Sequence, residues 1–446
     1  MALMNNKYWT RRDALKFGLT ATAAATLPSW YLESCPGETV TEKSPNERPR
    51  IALVGCGGMG TGDAANATRF GDIVAICDVD LTHLDKLHKK YSKAQKYSDY
   101  REVCDLPNVD VVINATPDHW HTLVNLRAIH SGKDVYSEKP LTLTIDEGKH
   151  VVAAVKKTGR VLQTGSQQRS DKTFRLACEL VRNGRIGKVE RVRVWLPQGL
   201  REGPFATKPA PKELNWDFWQ GQTPDVAYVP ERCHRMFRYW WAYASGTMTD
   251  WGAHHNDIAI WGLGRDGSGP TTIEGEALIE PIPGGYQAAS QYRVKFVYND
   301  GVEHHCMSTS ANGWAGARTG KPKEGEKYHG VQFEGPEGWI FVSRDSTLDA
   351  SDPALIKEPL PSNAERLYAS DDHMGNFFEC VKSRKPPICA AEIGHRSASL
   401  CHLGTTAIRL GRKLKWDPVT ETFKNDPEAN KMIAREMRKP YTYDEA

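Results

Sequence analysis

Beyond its N-terminal segment, no stretch of this chain stays apolar long enough to span a bilayer as a helix. Its ten cysteines include no CxxC pair and no His/Cys cluster at zinc spacing. A disulfide scaffold and a structural metal are therefore not expected. The 58 Lys and Arg nearly balance the 55 Asp and Glu, for a net charge of +3, and the basic residues form no long runs. That argues against nucleic acid as a partner. What is present is a globular composition, 39% hydrophobic and 25% charged over 446 residues. The length exceeds one ordinary core and predicts two domains plus extensions.

The N-terminus reads as a targeting segment. Thr10-Arg11-Arg12-Asp13-Ala14-Leu15-Lys16 is a twin-arginine pattern, followed by a mildly apolar run from Phe17 to about Trp30. This predicts an export signal and a periplasmic or otherwise exported protein. The bland alternative is a chance Arg pair before an Ala-rich helix. Lipid anchoring at Cys35 is disfavoured by Glu33, and a polar stretch from Glu38 to Arg48 links the segment to the first strand. Residues 1–47 are thus assigned as signal and linker.

Arg50-Ile-Ala-Leu-Val-Gly55 is a short apolar run ending in glycine, as in a buried parallel strand. Gly55-x-Gly57-x-x-Gly60 follows at once. The first glycine permits a tight turn, the second lets backbone approach a pyrophosphate, and the third lets helix pack on strand. Gly58 and Met59 complete the loop. The next strand, Asp72-Ile-Val-Ala-Ile-Cys-Asp78, ends in an acidic residue about twenty positions on, where a ribose partner belongs. With Asp80 close by, two carboxylates would repel a 2′-phosphate, which favours NAD over NADP. The bland reading makes Asp78 a strand-end turn residue. Further strands, Val109–Ala115, Asp134–Tyr136 and Arg160–Gln163, alternate with helical segments. They predict right-handed βαβ units and a parallel sheet over residues 48–168.

Three short motifs follow these strands: Thr116-Pro-Asp-His-Trp-His121, Glu138-Lys-Pro140 and Gly165-Ser-Gln-Gln-Arg169. Others come later: Asp250-Trp-Gly-Ala-His-His255, Gly394-His-Arg-Ser-Ala398 and Lys415-Trp-Asp-Pro418. With the glycine loop they make the chain resemble the family of glucose–fructose oxidoreductase, inositol dehydrogenase and MocA, from about residue 48 onward. Asp118 departs from the Asn of many members. The resemblance implies a Rossmann domain followed, over residues 169–446, by an α/β domain on a large, mostly antiparallel open sheet with a C-terminal helical return. One face of that sheet commonly makes a homodimer or homotetramer. Alternating segments at 189–195, 272–278, 292–298 and 330–333 agree with a one-sided sheet.

Hydride transfer needs a base for the hydroxyl proton and a fixed substrate carbon. Lys139, at the carboxyl edge of the parallel sheet, is the first candidate, against the bland reading of a loop lysine. Asp250 and His254 share a helical face at i, i+4 spacing. An acidic neighbour would orient the imidazole. The resemblance assigns His254 as acid/base beside Lys139, with Asp250 contacting it and the substrate. The bland reading is a helix-stabilising Asp–His pair. His255 is either a sugar contact or a packing histidine. Cofactor contacts are expected from Thr116, Pro117, His119, His121, Glu138, Lys139 and Gln167. No metal is assigned to His119 and His121. Substrate contacts are expected from Arg169, Arg238, Trp240 and Trp241, although each Trp equally suits an aromatic core. Trp251 is expected to pack.

Export sharpens the expectation, because an exported enzyme would need tightly bound, recycled NAD. Three readings stay open: a sugar, polyol or glycoside oxidoreductase; an NAD-dependent glycosidase working by oxidation, elimination and re-reduction; or a silent sugar-binding protein.

Overall fold

The computed structural model describes residues 27–28, 30–31, 48–308 and 329–444, so the twin-arginine pattern and Cys35 lie outside the described residues. Strands β1 (Arg50–Val54), β2 (Asp72–Cys77), β3 (Gln95–Tyr97), β4 (Val111–Asn114), β5 (Asp134–Ser137) and β6 (Leu162–Thr164) form one sheet in the order β3-β2-β1-β4-β5-β6. Every pairing in it is parallel. Strands β1 and β4 are apolar along most of their length, and β4 and β5 are buried throughout, because both faces are covered. Helices His121–His130 and Ile145–Thr158 pack on one side, and Gly58–Ala67 on the other. That second side is completed from far along the chain by Met374, Phe377 and Phe378 of helix His373–Ser383. The strand order reverses between β1 and β4. A crevice therefore opens beyond their carboxyl ends, the usual ligand position in such sheets.

The second sheet contains β7 (Arg191–Leu196), β8 (Thr272–Ala277), β9 (Tyr292–Val297), β10 (Glu303–Ser308), β11 (Gly330–Gly335), β12 (Gly338–Ser343), β13 (Thr347–Ala350), β14 (Leu414–Asp417) and β15 (Thr422–Phe423). Their order is β13-β12-β11-β7-β10-β9-β8-β14-β15, antiparallel except for β7 with β10. Val192, Val194, Phe296, Cys306 and Phe333 form the buried face against helices Lys172–Arg182, Gly252–Leu263 and Ala391–Leu410. The helix Ala391–Leu410 lies so close that a Cβ on Gly275 would sit 2.8 Å from the Ile408 nitrogen. Residues between those apolar positions carry charge: Arg191 and Arg193 pair with Glu334, and Lys295 with Glu303. This is the alternation of a one-sided sheet.

Residues 197–246 leave the sheet as an excursion with an aromatic core of Trp219, Tyr228, Phe237, Trp240, Tyr243 and Tyr286. It is fastened to the first domain by backbone hydrogen bonds from Leu81 N to Glu213 O (2.9 Å) and from Asn215 N to Val79 O (3.0 Å). The stretch assigned as signal and linker also contains a packed anchor. Tyr31 is buried in the second domain and its Oη accepts from Arg175 Nε at 2.8 Å, while Trp30 Nε1 donates to Lys357 O at 3.0 Å.

Candidate active site

Both domains line a cavity of about 750 Å³ at the crevice. Its floor is the glycine loop. Gly55 has φ +94°, and a Cβ there would sit 2.6 Å from Ala115 O, while a Cβ on Gly60 would sit 1.8 Å from Gly55 O. These two glycines are required by the turn and by helix-on-strand packing. Gly57 and Gly58 line the cavity, and nothing lies within 4 Å of a Cβ on either. Backbone there is open to a ligand. The helix Gly58–Ala67 starts without a side-chain cap and without an acidic residue in its first turn. Its free N–H groups suit a pyrophosphate. Asp78 lines the same cavity and is oriented by Cys56 N (2.7 Å) and Asp80 N (2.9 Å). Burial raises its pKa, against those two N–H donors. Met59, Thr116, Pro117, His121, Glu138 and Gln167 also line the cavity. His121 ties two of its loops together, with Nδ1 2.6 Å from Pro140 O and Nε2 2.8 Å from Thr116 O. Gln167 Nε2 donates to Glu138 Oε1 at 2.9 Å. These residues fit a dinucleotide.

At the domain junction, Lys139 Nζ donates to Asp250 Oδ1 at 2.5 Å. Arg238 Nε lies 3.4 Å from the same oxygen. Burial would raise the Asp250 pKa, but the two cations hold it at about 2. His254, on the first turn of helix Gly252–Leu263, also lines the cavity. Its pKa falls well below the usual value, first through burial and then through Lys139 and Arg344, so the ring is neutral. Its buried Nδ1 has no hydrogen-bond partner among the described residues. The site thus presents a fixed ammonium, an ionised carboxylate and an unengaged neutral imidazole.

Several expectations are redirected. Asp250 was expected beside His254, yet its partners are Lys139 and Arg238, because helix Thr247–Asp250 ends there and the carboxylate turns across the crevice. Arg169, expected at the substrate, is 1% exposed and locked onto Asp257 (2.8 Å) and Asp266 (2.7 Å) away from the cavity lining. Trp240 is buried in the aromatic core, with Nε1 donating to Glu231 O. Trp241 is covered by the guanidinium groups of Arg409 and Arg435. His255 packs against Trp251, with Nε2 2.9 Å from His329 Nδ1. His119 is buried under Trp219, Nε2 2.9 Å from its carbonyl oxygen, rather than on the cavity wall. Asp80, His83 and His234 come within 4.8 Å of one another at the cofactor rim, a trio of metal-ligand types that no sequence spacing announced.

Cavity residues outside the expected site set are Tyr100, Tyr239, Trp251 and Arg344. Asp118 also lines it, buried, with its pKa pushed up to about 7 by burial against the pull of Arg238 and Lys139. Phe218 and Trp219 also line it; they belong to the segment Leu214-Asn-Trp-Asp-Phe-Trp219, whose resemblance to a carbohydrate-acting branch points to this cleft. Nothing in the sequence marks Arg344, which sits in a hairpin turn between β12 and β13.

Residues 49–166 match the oxidoreductase-family NAD-binding Rossmann fold, and residues 195–443 match the C-terminal α/β domain of the same Gfo/Idh/MocA family. The scyllo-inositol 2-dehydrogenase (NAD+) of Bacillus subtilis strain 168 is 30% identical over 353 residues, 76% of this chain and 88% of that protein. The myo-inositol 2-dehydrogenase of Thermotoga maritima is 32% identical over 147 residues, 32% of this chain and only 44% of that protein. In fold, the chain is similar to the WlbA dehydrogenase of Bordetella pertussis, solved with NADH and UDP-GlcNAcA, with a TM-score of 0.61 and 19% identity over 83% of this chain and 99% of that one. It is equally similar to the aldose-aldose oxidoreductase of Caulobacter crescentus, solved with glycerol, at TM-score 0.61 and 19% identity over 83% and 100%. The glycine loop, Asp78 and these matches agree on NAD as the cofactor. Glycine loop, crevice and two-domain architecture together place the chain in the Gfo/Idh/MocA family of NAD-binding oxidoreductases.

Proposed function

We propose that this protein oxidises a ring hydroxyl of a sugar, polyol or glycoside, with Lys139 and His254 handling the proton. The observation that carries the reading is the Lys139–Asp250 pair facing the same cavity as neutral His254 and the glycine loop. Bound NAD supplies the hydride acceptor. His254, being neutral, accepts the hydroxyl proton as the carbon–hydrogen bond breaks. The Lys139 ammonium, held by Asp250, donates to the same oxygen and stabilises it as it becomes a carbonyl. Asp250 keeps that ammonium aimed. The inositol dehydrogenases among the relatives support a polyhydroxylated ring as substrate.

The excursion at 197–246 supports a retained cofactor, since it is hydrogen bonded to the loop after β2 and contributes His234, Phe237 and Tyr239 to the cavity wall. Retention suits export by the twin-arginine route, which carries folded proteins. That localisation is carried by the twin-arginine pattern at Thr10–Lys16 and the mildly apolar run that follows it. Net glycoside hydrolysis is the second reading. Asp118 favours it, because a cavity carboxyl with a pKa of about 7 could take a proton from the carbon beside a new carbonyl. Incubation with nitrophenyl glycosides separates the readings. A keto-sugar with reduced cofactor supports the oxidoreductase. Aglycone release without added NAD supports the glycosidase. Sugar-induced quenching of Trp fluorescence with neither product leaves only binding.

A further inference from the structure

Three cations gather at the substrate end of the cavity. Lys139, Arg238 and Arg344 all line it, and Asp250 is the carboxylate they share. Asp118 and Glu138 also face the cavity, but among the described residues neither forms an ion pair with Arg344. Among the described residues Arg344 is the member without an ion-pair partner, although Asp250 and the neighbouring Asp345 both favour its charged form. Its guanidinium carbon lies 4.7 Å from the centroid of the Trp251 ring. Its hydrogen bond is a long one, from Nη2 to Gln168 Oε1 at 3.4 Å, and no carboxylate lies within ion-pair distance among the described residues. A half-buried guanidinium held against an aromatic ring, with most of its donors unengaged, is arranged to receive a planar anion. It enters from the β12–β13 turn of the second domain, whereas the phosphate-binding loop belongs to the first. The cofactor phosphates are therefore met elsewhere.

We propose that the substrate is an anionic sugar or polyol, a uronic-acid type of ring whose carboxylate is taken by Arg344 while a ring hydroxyl faces Lys139 and His254. This rests on the oxidoreductase reading and names its substrate class. Burying an unpaired arginine is costly, and an incoming carboxylate supplies the missing partner and two charge-assisted hydrogen bonds. A neutral sugar leaves the half-buried guanidinium without that partner. Arg238 is less suited, because Asp250 already engages it.

The test is steady-state oxidation, with an added redox dye as electron acceptor, of glucuronate and galacturonate beside glucose, galactose and a sulfated galactose, in wild type, Arg344→Gln and Arg344→Lys. The expected result is a uronate-over-neutral preference in kcat/KM of about tenfold or more, appearing chiefly in KM. Arg344→Gln should collapse that ratio, and Arg344→Lys should restore part of it. Sulfated galactose preferred over both uronates would overturn the carboxylate assignment. Neutral sugars oxidised as well as uronates, or a ratio unchanged in Arg344→Gln, would overturn the proposal while leaving the oxidoreductase reading intact. No reduction of NAD by any of these sugars, together with none by inositols, would instead strike at the oxidoreductase reading itself.

Discussion

Lys139 and Asp250 stand 111 residues apart in the chain and touch in the fold. Both were visible in the sequence because each sits in a compact motif. Their pairing was not, since i, i+4 spacing points Asp250 toward His254 and cannot see a partner from another domain. The consequence is chemical. An imidazole left to itself in a buried, cationic corner is neutral far below its ordinary range. The base form of His254 is therefore already present at acid pH, and its titration should not limit oxidation near pH 6.5, the ordinary histidine range. Any inflection in kcat/KM near pH 7 belongs to Asp118, whose carboxyl is pushed up to about 7. It should vanish in Asp118→Asn, and an inflection that survives there would contradict this assignment. Arg169 carries the opposite lesson, since a motif position gave the residue but not its surroundings. Buried between Asp257 and Asp266, it is structural. Arg169→Ala should cost about 3–5 kcal/mol in denaturant unfolding, because the buried Asp257 carboxylate loses its partner and the partly exposed Asp266 loses its own. A variant of unchanged stability with a raised KM would return Arg169 to the substrate.

The elements were legible where period and punctuation agree. Strand β1 with its glycine loop is a contiguous signal, and β7, β8, β9 and β11 alternate clearly enough to be found. The excursion at 197–246 was not legible as an element, because its order comes from aromatic packing and not from a repeat. That packing buries Trp240 and removes it from the substrate list. The segment before the first strand shows the same limit. Composition assigns residues up to 47 to a leader and linker, yet Tyr31 is 2% exposed and hydrogen bonded to Arg175. Tyr31→Ala should lower unfolding stability by about 3–5 kcal/mol, the range for truncating a buried aromatic side chain. An unchanged melting temperature would mean that the anchor contributes nothing in solution.

At the scale of the whole molecule, two domains close on one cavity, and the chain returns repeatedly to the first domain, among others through residues 197–246, 373–383 and 437–443. The two-domain order could be read from motifs. The closure could not, because it depends on contacts between segments far apart in sequence. A cofactor roofed by the second domain should stay bound through purification. Denaturation should then release one dinucleotide per chain, and NADP in that fraction would contradict the role given to Asp78. The account stands on the Lys139–Asp250–His254 corner acting on a substrate beside that dinucleotide. The direct measurement is the rate at which bound nicotinamide is reduced on mixing with sugars, sugar acids and inositols, in wild type and in Lys139→Ala. At least one of these should reduce it in wild type, and Lys139→Ala should slow that step by about 10²–10⁴-fold. Reduction at the wild-type rate in Lys139→Ala would contradict the account.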